Sequence, residues 1–367
     1  MSQLRDDDGG VRGAHRDAGQ RRAAAAPAVD IVLVNRNSGE CLRECLTSIA
    51  RADADGFALR SIIVVDDAST DGSVTGIDWY QLPIRVIRNK EHRGYGASCN
   101  LAAKLGDSEL LLFLNTDTKV STGALKGAVS YLTREEHHDV GVVGVKLLDE
   151  AGKVSRSCSR FPTLWTMIAS VCAFDRLPLC QKLSVMMREW NHLETRVVDQ
   201  VIGAFMMIRR AVFDQLGGYD ERFFVYMEDL DLSVRMRAAG YRSVYLSTSY
   251  AIHQGGGTAR KAWSESLFFN RRSRIQYALK HFGPGGGFLV ALVTAGLEPI
   301  ARGVRALCVF QRGELVATWN AYCRLWCWLV ERVVQRGSAG DWWQACSKAT
   351  ITLVRAGGTS RSSRKAR

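Results

Sequence analysis

The side chains best suited to chemistry in this 367-residue chain sit at the ends of apolar runs and at one acidic helix start. Leu110 to Asp117 reads LLLFLNTD, a buried-strand pattern that delivers Asn115 and Asp117 to its tip. Oxygen donors on a rigid strand end suit Mg²⁺ or Mn²⁺, which take one or two protein carboxylates and fill the remaining positions with phosphate and water. His253 follows another short apolar run and precedes Gln254-Gly255-Gly256-Gly257-Thr258. An imidazole there can complete a cation shell, and the glycines let backbone approach a phosphate. Glu228, Asp229 and Asp231 open a helix just after Phe223-Phe224 and Tyr226-Met227. A carboxylate among those rings is partly desolvated, which raises its basicity as a general base requires. Ile62 to Ser73, IIVVDDASTDGS, places Asp66 and Asp67 at a strand end. Asp66 can accept a hydrogen bond from a pyrimidine ring N–H, while Ser69 to Ser73 form a turn and a helix cap. Each feature alone has a plainer explanation in a turn former, a satisfied histidine or a helix-dipole partner. Their joint occurrence is the signal.

The elements that must position these groups begin at Val29. Apolar runs at Ile31–Val34, Ile62–Val65, Ile84–Ile87, Leu110–Leu114 and Val140–Val145 alternate with amphipathic segments at Glu40–Ile49, Ala97–Leu105 and Leu125–Leu132. Continuous Val/Ile/Leu strands separated by helices predict an α/β domain with a mostly parallel sheet buried on both faces. Ligands of such sheets bind at the carboxyl ends of the strands, which here are Asn35, Asp66-Asp67, Asn89 and Asn115-Thr116-Asp117. Farther on, Val198–Arg209, a helix at Ala211–Leu216, a helix from Glu228 to near Gly240, and strands at Arg242–Leu246 and Tyr250–His253 complete the pattern. Beyond Ala262 three or four helices are expected, broken at Pro284–Gly287. This divides the chain into a flexible tail (1–27), the α/β domain (28–283), a basic, tryptophan-rich helical extension (284–355) and a basic tail (356–367).

Composition narrows the function classes. Hydrophobic residues make up 47% of the chain, enough for a sizeable core and against disorder. The ten cysteines have no CxxC pair and no recurring spacing, so they read as reduced thiols facing a cytosol. Net charge is +12, and its excess lies at the end: from Arg260 onward there are 18 Lys or Arg against 5 Asp or Glu. That charge falls outside the strand-end cluster and no nucleic-acid-binding motif accompanies it, so nucleic acid is not the expected partner. Five of the nine tryptophans, Trp319, Trp326, Trp328, Trp342 and Trp343, share the basic region. Tryptophan mixed with arginine on helices suits a lipid headgroup zone, the alternative being a subdomain that packs its tryptophans inward. No clean transmembrane span is expected, because the best stretch, Phe288–Phe310, carries Glu298, Arg302 and Arg305. The first strand is followed by Asn35-Arg36-Asn37-Ser38-Gly39 rather than GxGxxG, which excludes a dinucleotide-binding enzyme.

In this order, IVLVNRNS, VVDDASTDGS, NKEHRGYGASCNLA, LNTD, VDQVIGAFMMIRRAVFDQLGGYDERFFVYMEDLDLSVRMRAAGYR and HQGGGTA resemble the motifs of the inverting glycosyltransferase family 2, of GT-A fold, from about Val29 to Gly283. Within it, GGYDERFFVYMEDLDLSVRMR is most similar to the rhamnosyltransferase-like branch that builds surface polysaccharides. The resemblance implies that Asn35 and Asp66 contact the nucleoside, and that Asp67, Gly94, Asn100, Asn115, Gly203 and Glu228 belong to the nucleotide-sugar pocket. It implies Asp117 and His253 as contacts for Mg²⁺ or Mn²⁺ beside the diphosphate, and Asp229 as the base that deprotonates an acceptor hydroxyl. A nucleoside-diphosphate sugar donor, a saccharide or lipid-linked saccharide acceptor, and a cytoplasmic location on the inner face of the membrane follow from the same likeness. Arg272-Ser273-Arg274 stands where the family pattern has Arg-Asn-Arg. The competing readings are a catalytically inactive nucleotide-sugar binder and a nucleic-acid-binding protein using the basic tail.

Overall fold

The computed structural model describes residues 26–171, 184–255, 263–308 and 312–335. The N-terminal tail up to residue 25, Gly256 to Thr258 of the late glycine run, and the terminal segment with Trp342 and Trp343 lie outside the described residues.

Strands β1 (Ala28–Asn35), β2 (Ala58–Asp66), β3 (Ile84–Arg88) and β4 (Leu110–Asn115) alternate with helices α1 (Glu40–Ala50) and α2 (Tyr95–Ala103). Then follow β5 (Thr118–Val120), α3 (Ala124–Leu132), β6 (Val140–Leu148), β7 (Cys158–Ser159), α4 (Leu164–Val171), β8 (Arg196–Val198), β9 (Gln200–Val201), β10 (Phe205–Arg209), α5 (Arg210–Gln215), α6 (Glu228–Ala238) and β11 (Arg242–His253). The main sheet runs β3-β2-β1-β4-β10-β6-β11-β5, with β8 added beside β11. Pairs β1/β2, β1/β4, β2/β3 and β6/β11 are parallel, and β10 is antiparallel to both of its neighbours. Because β10 reverses twice, β1, β2, β4, β6 and β11 all point the same way, and their carboxyl ends share one edge with the start of β10.

Both faces of this sheet are covered, which explains the unbroken apolar runs. Side chains alternate across a strand, so Ile31, Leu33, Leu112 and Leu114 join one buried cluster, while Val32, Leu111 and Phe113 join the cluster on the other face. Two boundaries differ from the sequence expectation. Helix α2 starts at Tyr95 rather than Ala97, because Gly94 with φ +91° turns the chain directly into it. The strands expected at Arg242–Leu246 and Tyr250–His253 are one strand, interrupted by an irregularity between Leu246 and Tyr250 in its pairing with β6.

Helix Trp263–His281 follows, and the chain breaks at Phe282 and Gly283 (φ +73°) rather than at Pro284–Gly287, which open the next helix because a proline in the first turn needs no N–H partner. The next helical segments, Gly283–Leu292, a π turn at Val293–Leu297 and Glu298–Cys308, are contiguous. Helix Arg312–Gln335 packs back on both. Gly283–Val304 is long and apolar enough to cross a membrane by length and composition, contrary to the sequence expectation. The difference lies in the frame: starting at Gly283 gains an apolar turn and leaves Arg305 outside. Trp326 and Trp328 pack inward, with Trp326 Nε1 donating to the Ala295 carbonyl, whereas Trp319 is 61% exposed.

Candidate active site

The polar residues at the carboxyl edge divide into those facing one another across the edge and those that brace it. The cation candidates come together: His253 Nε2 lies 3.2 Å from Asp117 Oδ1. This contact follows from the sheet, because Thr118 of β5 pairs antiparallel with His253 of β11, and the Asp117 carbonyl accepts the Gln254 N–H. Among the described residues no third His, Cys, Asp or Glu joins them. Two ligands, one carboxylate and one imidazole, fit Mg²⁺ or Mn²⁺ only where a diphosphate and water supply the rest of the shell.

Asp229 reaches the same edge. The Gly203 N–H donates to its Oδ2 at 2.9 Å, and the Leu230 N–H donates to Oδ1 at 2.8 Å. The next residue, Ala204, accepts the Asn115 N–H through its carbonyl, so the base candidate sits one short step from the tip of β4. Burial raises the Asp229 carboxyl above the ordinary aspartate range, although the hydrogen bonds from Gly203 and Leu230 oppose it. A half-buried carboxylate of raised basicity suits proton abstraction from a hydroxyl.

Glu228 is different. It is 7% exposed, its Oε2 has no hydrogen-bond partner, and it lies against the start of α2 at Gly96. Burial first, and Asp229 second, raise its carboxyl well above the ordinary range. It lies behind the edge. The pair is mounted on a corner in which Tyr226 and Met227 both have φ +70°, an uncommon conformation for two consecutive non-glycine residues. Ser273 braces that corner by donating to the Val225 carbonyl, and the Tyr226 and Ser266 hydroxyls bond each other. Phe224 stacks on Phe269, with ring centroids 4.5 Å apart. Asp231, fully buried, is held by Arg235, Lys280 and His281. Helix Trp263–His281 is therefore the strut behind Asp229.

The donor-side residues sort in the same way. Asp66 stands at the tip of β2, paired in register with Asn35 of β1. The Asn35 amide donates to Asp66 Oδ1 at 2.9 Å, Ser69 Oγ at 3.0 Å and Ser73 Oγ at 2.8 Å, and its oxygen accepts from Ser38. Asn35 is fully buried. It orients Asp66 and the serine turn instead of presenting itself to a ligand. Asp67 accepts from Asn89, from His92 Nδ1 at 2.6 Å, and from the backbone of Arg93 and Gly94. Burial pushes its carboxyl upward, but these hydrogen bonds outweigh burial and hold it below the ordinary range. It clamps the 89–94 loop. Gly94 is required there, since a Cβ would fall 2.3 Å from the Phe224 carbonyl oxygen. Asn100 faces away from the edge: it bonds the backbone of Tyr219 in both directions, 119 residues along the chain, and the Glu221 carboxylate.

The structure thus brings Asp66, Asn115, Asp117, Gly203, Asp229 and His253 to one edge, and uses Asn35, Asp67, Asn100 and Glu228 behind it. Ser273 stood out in the sequence only as a departure from the Arg-Asn-Arg pattern, and His92, Ser266, Lys280 and His281 were not singled out. Nothing in their local pattern marks them, because each acts across a long sequence separation.

The model of Glycosyl transferase family 2 matches residues 30–217, just over half the chain. The chain is 26% identical over 265 residues to the N-acetylglucosaminyl-diphospho-decaprenol L-rhamnosyltransferase of Mycobacterium tuberculosis, covering 69% of this chain and 85% of that protein. It is 35% identical over 239 residues to the O-antigen biosynthesis protein RfbC of Myxococcus xanthus, covering 64% of this chain and 18% of that one. Among solved structures, the mannosyltransferase PcManGT of Pyrobaculum calidifontis, in complex with GDP-Man and Mn²⁺, has a TM-score of 0.46 at 16% identity, over 90% of this chain and 81% of that one.

Proposed function

This chain belongs to glycosyl transferase family 2, and from that membership we propose that it transfers a deoxyhexose such as rhamnose from a nucleoside diphosphate to a hydroxyl of a saccharide or lipid-linked saccharide, inverting the anomeric centre. The observation that carries the reading is the meeting of Asp117 and His253 at 3.2 Å on the edge that also receives Asp229 through Gly203. The rhamnosyltransferase relative supports the sugar and the lipid-linked class of acceptor. In this reading the transferase unit extends from residue 28 to Gly283, past the family match, because both Asp229 and His253 are needed.

Asp66, held by Asn35, receives the base of the nucleoside. Asp117 and His253 would hold Mg²⁺ or Mn²⁺, and a cation bound there would supply charge neutralisation for the departing phosphate. Asp229 takes the proton of the acceptor hydroxyl as its oxygen attacks the anomeric carbon on the face opposite the leaving group. Gly203 and Leu230 fix the carboxylate by donating to one oxygen each, leaving their other lone pairs for the hydroxyl proton. Direct displacement of this kind inverts configuration and passes through an oxocarbenium-like transition state. Among the described residues no disulfide joins Cys41, Cys45, Cys99, Cys158, Cys323 or Cys327, in keeping with a reducing cytoplasm. The C-terminal helices would meet the inner face of the membrane, where a lipid-linked acceptor resides.

The test is a donor panel of thymidine, uridine and guanosine diphosphate sugars with Mn²⁺ and a lipid-diphosphate saccharide acceptor, the anomeric product read by NMR. Transfer with inversion from one donor is expected. Retention of configuration, or donor binding without transfer to any saccharide, would overturn the proposal.

A further inference from the structure

The helical rod that begins at Gly283 leaves one side uncovered. Phe288, Leu292, Leu297, Ile300 and Val304 are 68%, 56%, 55%, 65% and 56% exposed. Their spacing is helical throughout, and its single longer step, from Leu292 to Leu297, falls across the π turn at Val293–Leu297. A π turn holds more residues than an α turn, so the longer step keeps Leu297 in line with Leu292. The other side of the rod is protein. Val290 and Val293 are buried, and Glu298 is engaged by Arg271, Arg274 and Arg302. Arg271 and Arg274 belong to helix Trp263–His281, the strut behind the base.

We propose that this stripe is a docking surface for an anionic lipid bilayer and lies in the plane of the membrane, its five side chains entering the boundary between headgroups and acyl chains. This deepens the reading of a membrane-bound acceptor, on which it rests, by naming the surface and the lipid class. Crossing the bilayer is excluded by the packing. It would carry the three guanidinium groups around Glu298 and the charged strut into hydrocarbon, where ionised side chains are strongly disfavoured. Lying flat leaves them on the protein side. Charge selects lipid over a second copy of the chain: from Arg260 onward 18 Lys or Arg stand against 5 Asp or Glu, so this third of the chain repels its own copy and is drawn to anionic headgroups. Exposed Trp319 on the neighbouring helix adds a side chain suited to the headgroup zone.

The experiment uses the full chain and sucrose-loaded vesicles of phosphatidylcholine with and without phosphatidylglycerol. The wild type is expected to co-sediment with the phosphatidylglycerol vesicles, and the double variant L292S/I300S to bind them roughly tenfold or more weakly. Ile300→Asn serves as a second, single-site variant that adds no charge. Calorimetric binding of a nucleoside diphosphate, expected unchanged in both, reports that each is folded. Wild-type protein that ignores anionic vesicles, or variants that sediment as the wild type does, would overturn the proposal. So would light scattering that shows a wild-type dimer turned to monomer by L292S/I300S, or deletion of residues 336–367 being needed before vesicles bind. Loss of nucleoside diphosphate binding with vesicle binding intact would count against the transferase reading and leave this one standing.

Discussion

Gly203 donates its backbone N–H to Asp229 Oδ2 at 2.9 Å, and a Cβ at Gly203 would stand 3.4 Å from that same oxygen. A residue without a side chain therefore brings the end of one loop directly onto a carboxylate 26 positions away, and fixes it beside the tip of β4.

Replacing that carboxylate separates proton transfer from binding. Asp229→Asn keeps an oxygen to accept from Gly203 but cannot take a proton. We expect kcat to fall by about 10²–10⁴, with the donor dissociation constant within about twofold of the wild type. Rapid-quench transfer assays and calorimetry measure the two quantities. Equal losses in both would remove Asp229 from the base role.

The acid limb of the rate profile carries the same information. Burial holds the Asp229 carboxyl above the ordinary aspartate range, and the base must be ionised to act, so kcat should decline as pH falls through that raised value. A limb set at the ordinary aspartate value, in a pH series at saturating donor and acceptor, would show that the carboxylate is solvated.

For the cation, Asp117→Ala removes the carboxylate and leaves His253. We expect Mn²⁺-dependent donor affinity to weaken by at least about tenfold, the loss that even an outer-shell substitution produces at metal sites. Metal-free affinity should stay unchanged. Titrations with and without Mn²⁺ decide the matter, and an unaltered cation dependence excludes Asp117 as a ligand.

Glu228→Gln should stabilise the fold near neutral pH. The folded state holds the Glu228 proton more tightly than the unfolded chain does. The wild type therefore loses stability as pH rises from the ordinary glutamate value toward the raised one, and glutamine does not. The gain should be a few degrees, about 2–4 °C in Tm, at pH 8, and should vanish below the ordinary glutamate value, where both forms are neutral. Scanning calorimetry at several pH values reads this. A gain that persists unchanged in acid would have another origin.

Gly94→Ala meets two obstacles at once, a φ of +91° and a carbonyl oxygen 2.3 Å from the new Cβ. We expect a loss of about 3 kcal/mol or more, in the range that diagnoses backbone strain and overpacking. Urea unfolding measures it, and a loss below 1 kcal/mol would mean that the Phe224 corner moves freely.

Much of this architecture was legible in the sequence. The strands appeared because burial on both faces leaves continuous Ile, Val and Leu, and the site edge appeared because Asp66, Asn115 and Asp117 interrupt those runs at their ends. The reversal of β10 was not legible, since FMMIR reads the same in either direction of pairing. Nor was the division of labour among polar residues. Asn35, Asp67 and Asn100 have the composition of ligand contacts, but their partners Ser73, Arg93 and Tyr219 are set by the folded chain. Ser273, a departure from the Arg-Asn-Arg pattern, shows its purpose only in its bond to the Val225 carbonyl.

The corner at Tyr226 and Met227 has a consequence for biosynthesis. Its braces, Ser266, Phe269, Ser273 and the Lys280–His281 pair on Asp231, are translated after every strand of the sheet. A ribosome that has just finished β11 has therefore made every strand of the sheet without the support for the corner that carries Asp229. Until the strut emerges, the corner that carries Asp229 lacks its braces, so under the proposed function the acceptor chemistry is set only once synthesis reaches the helices that follow.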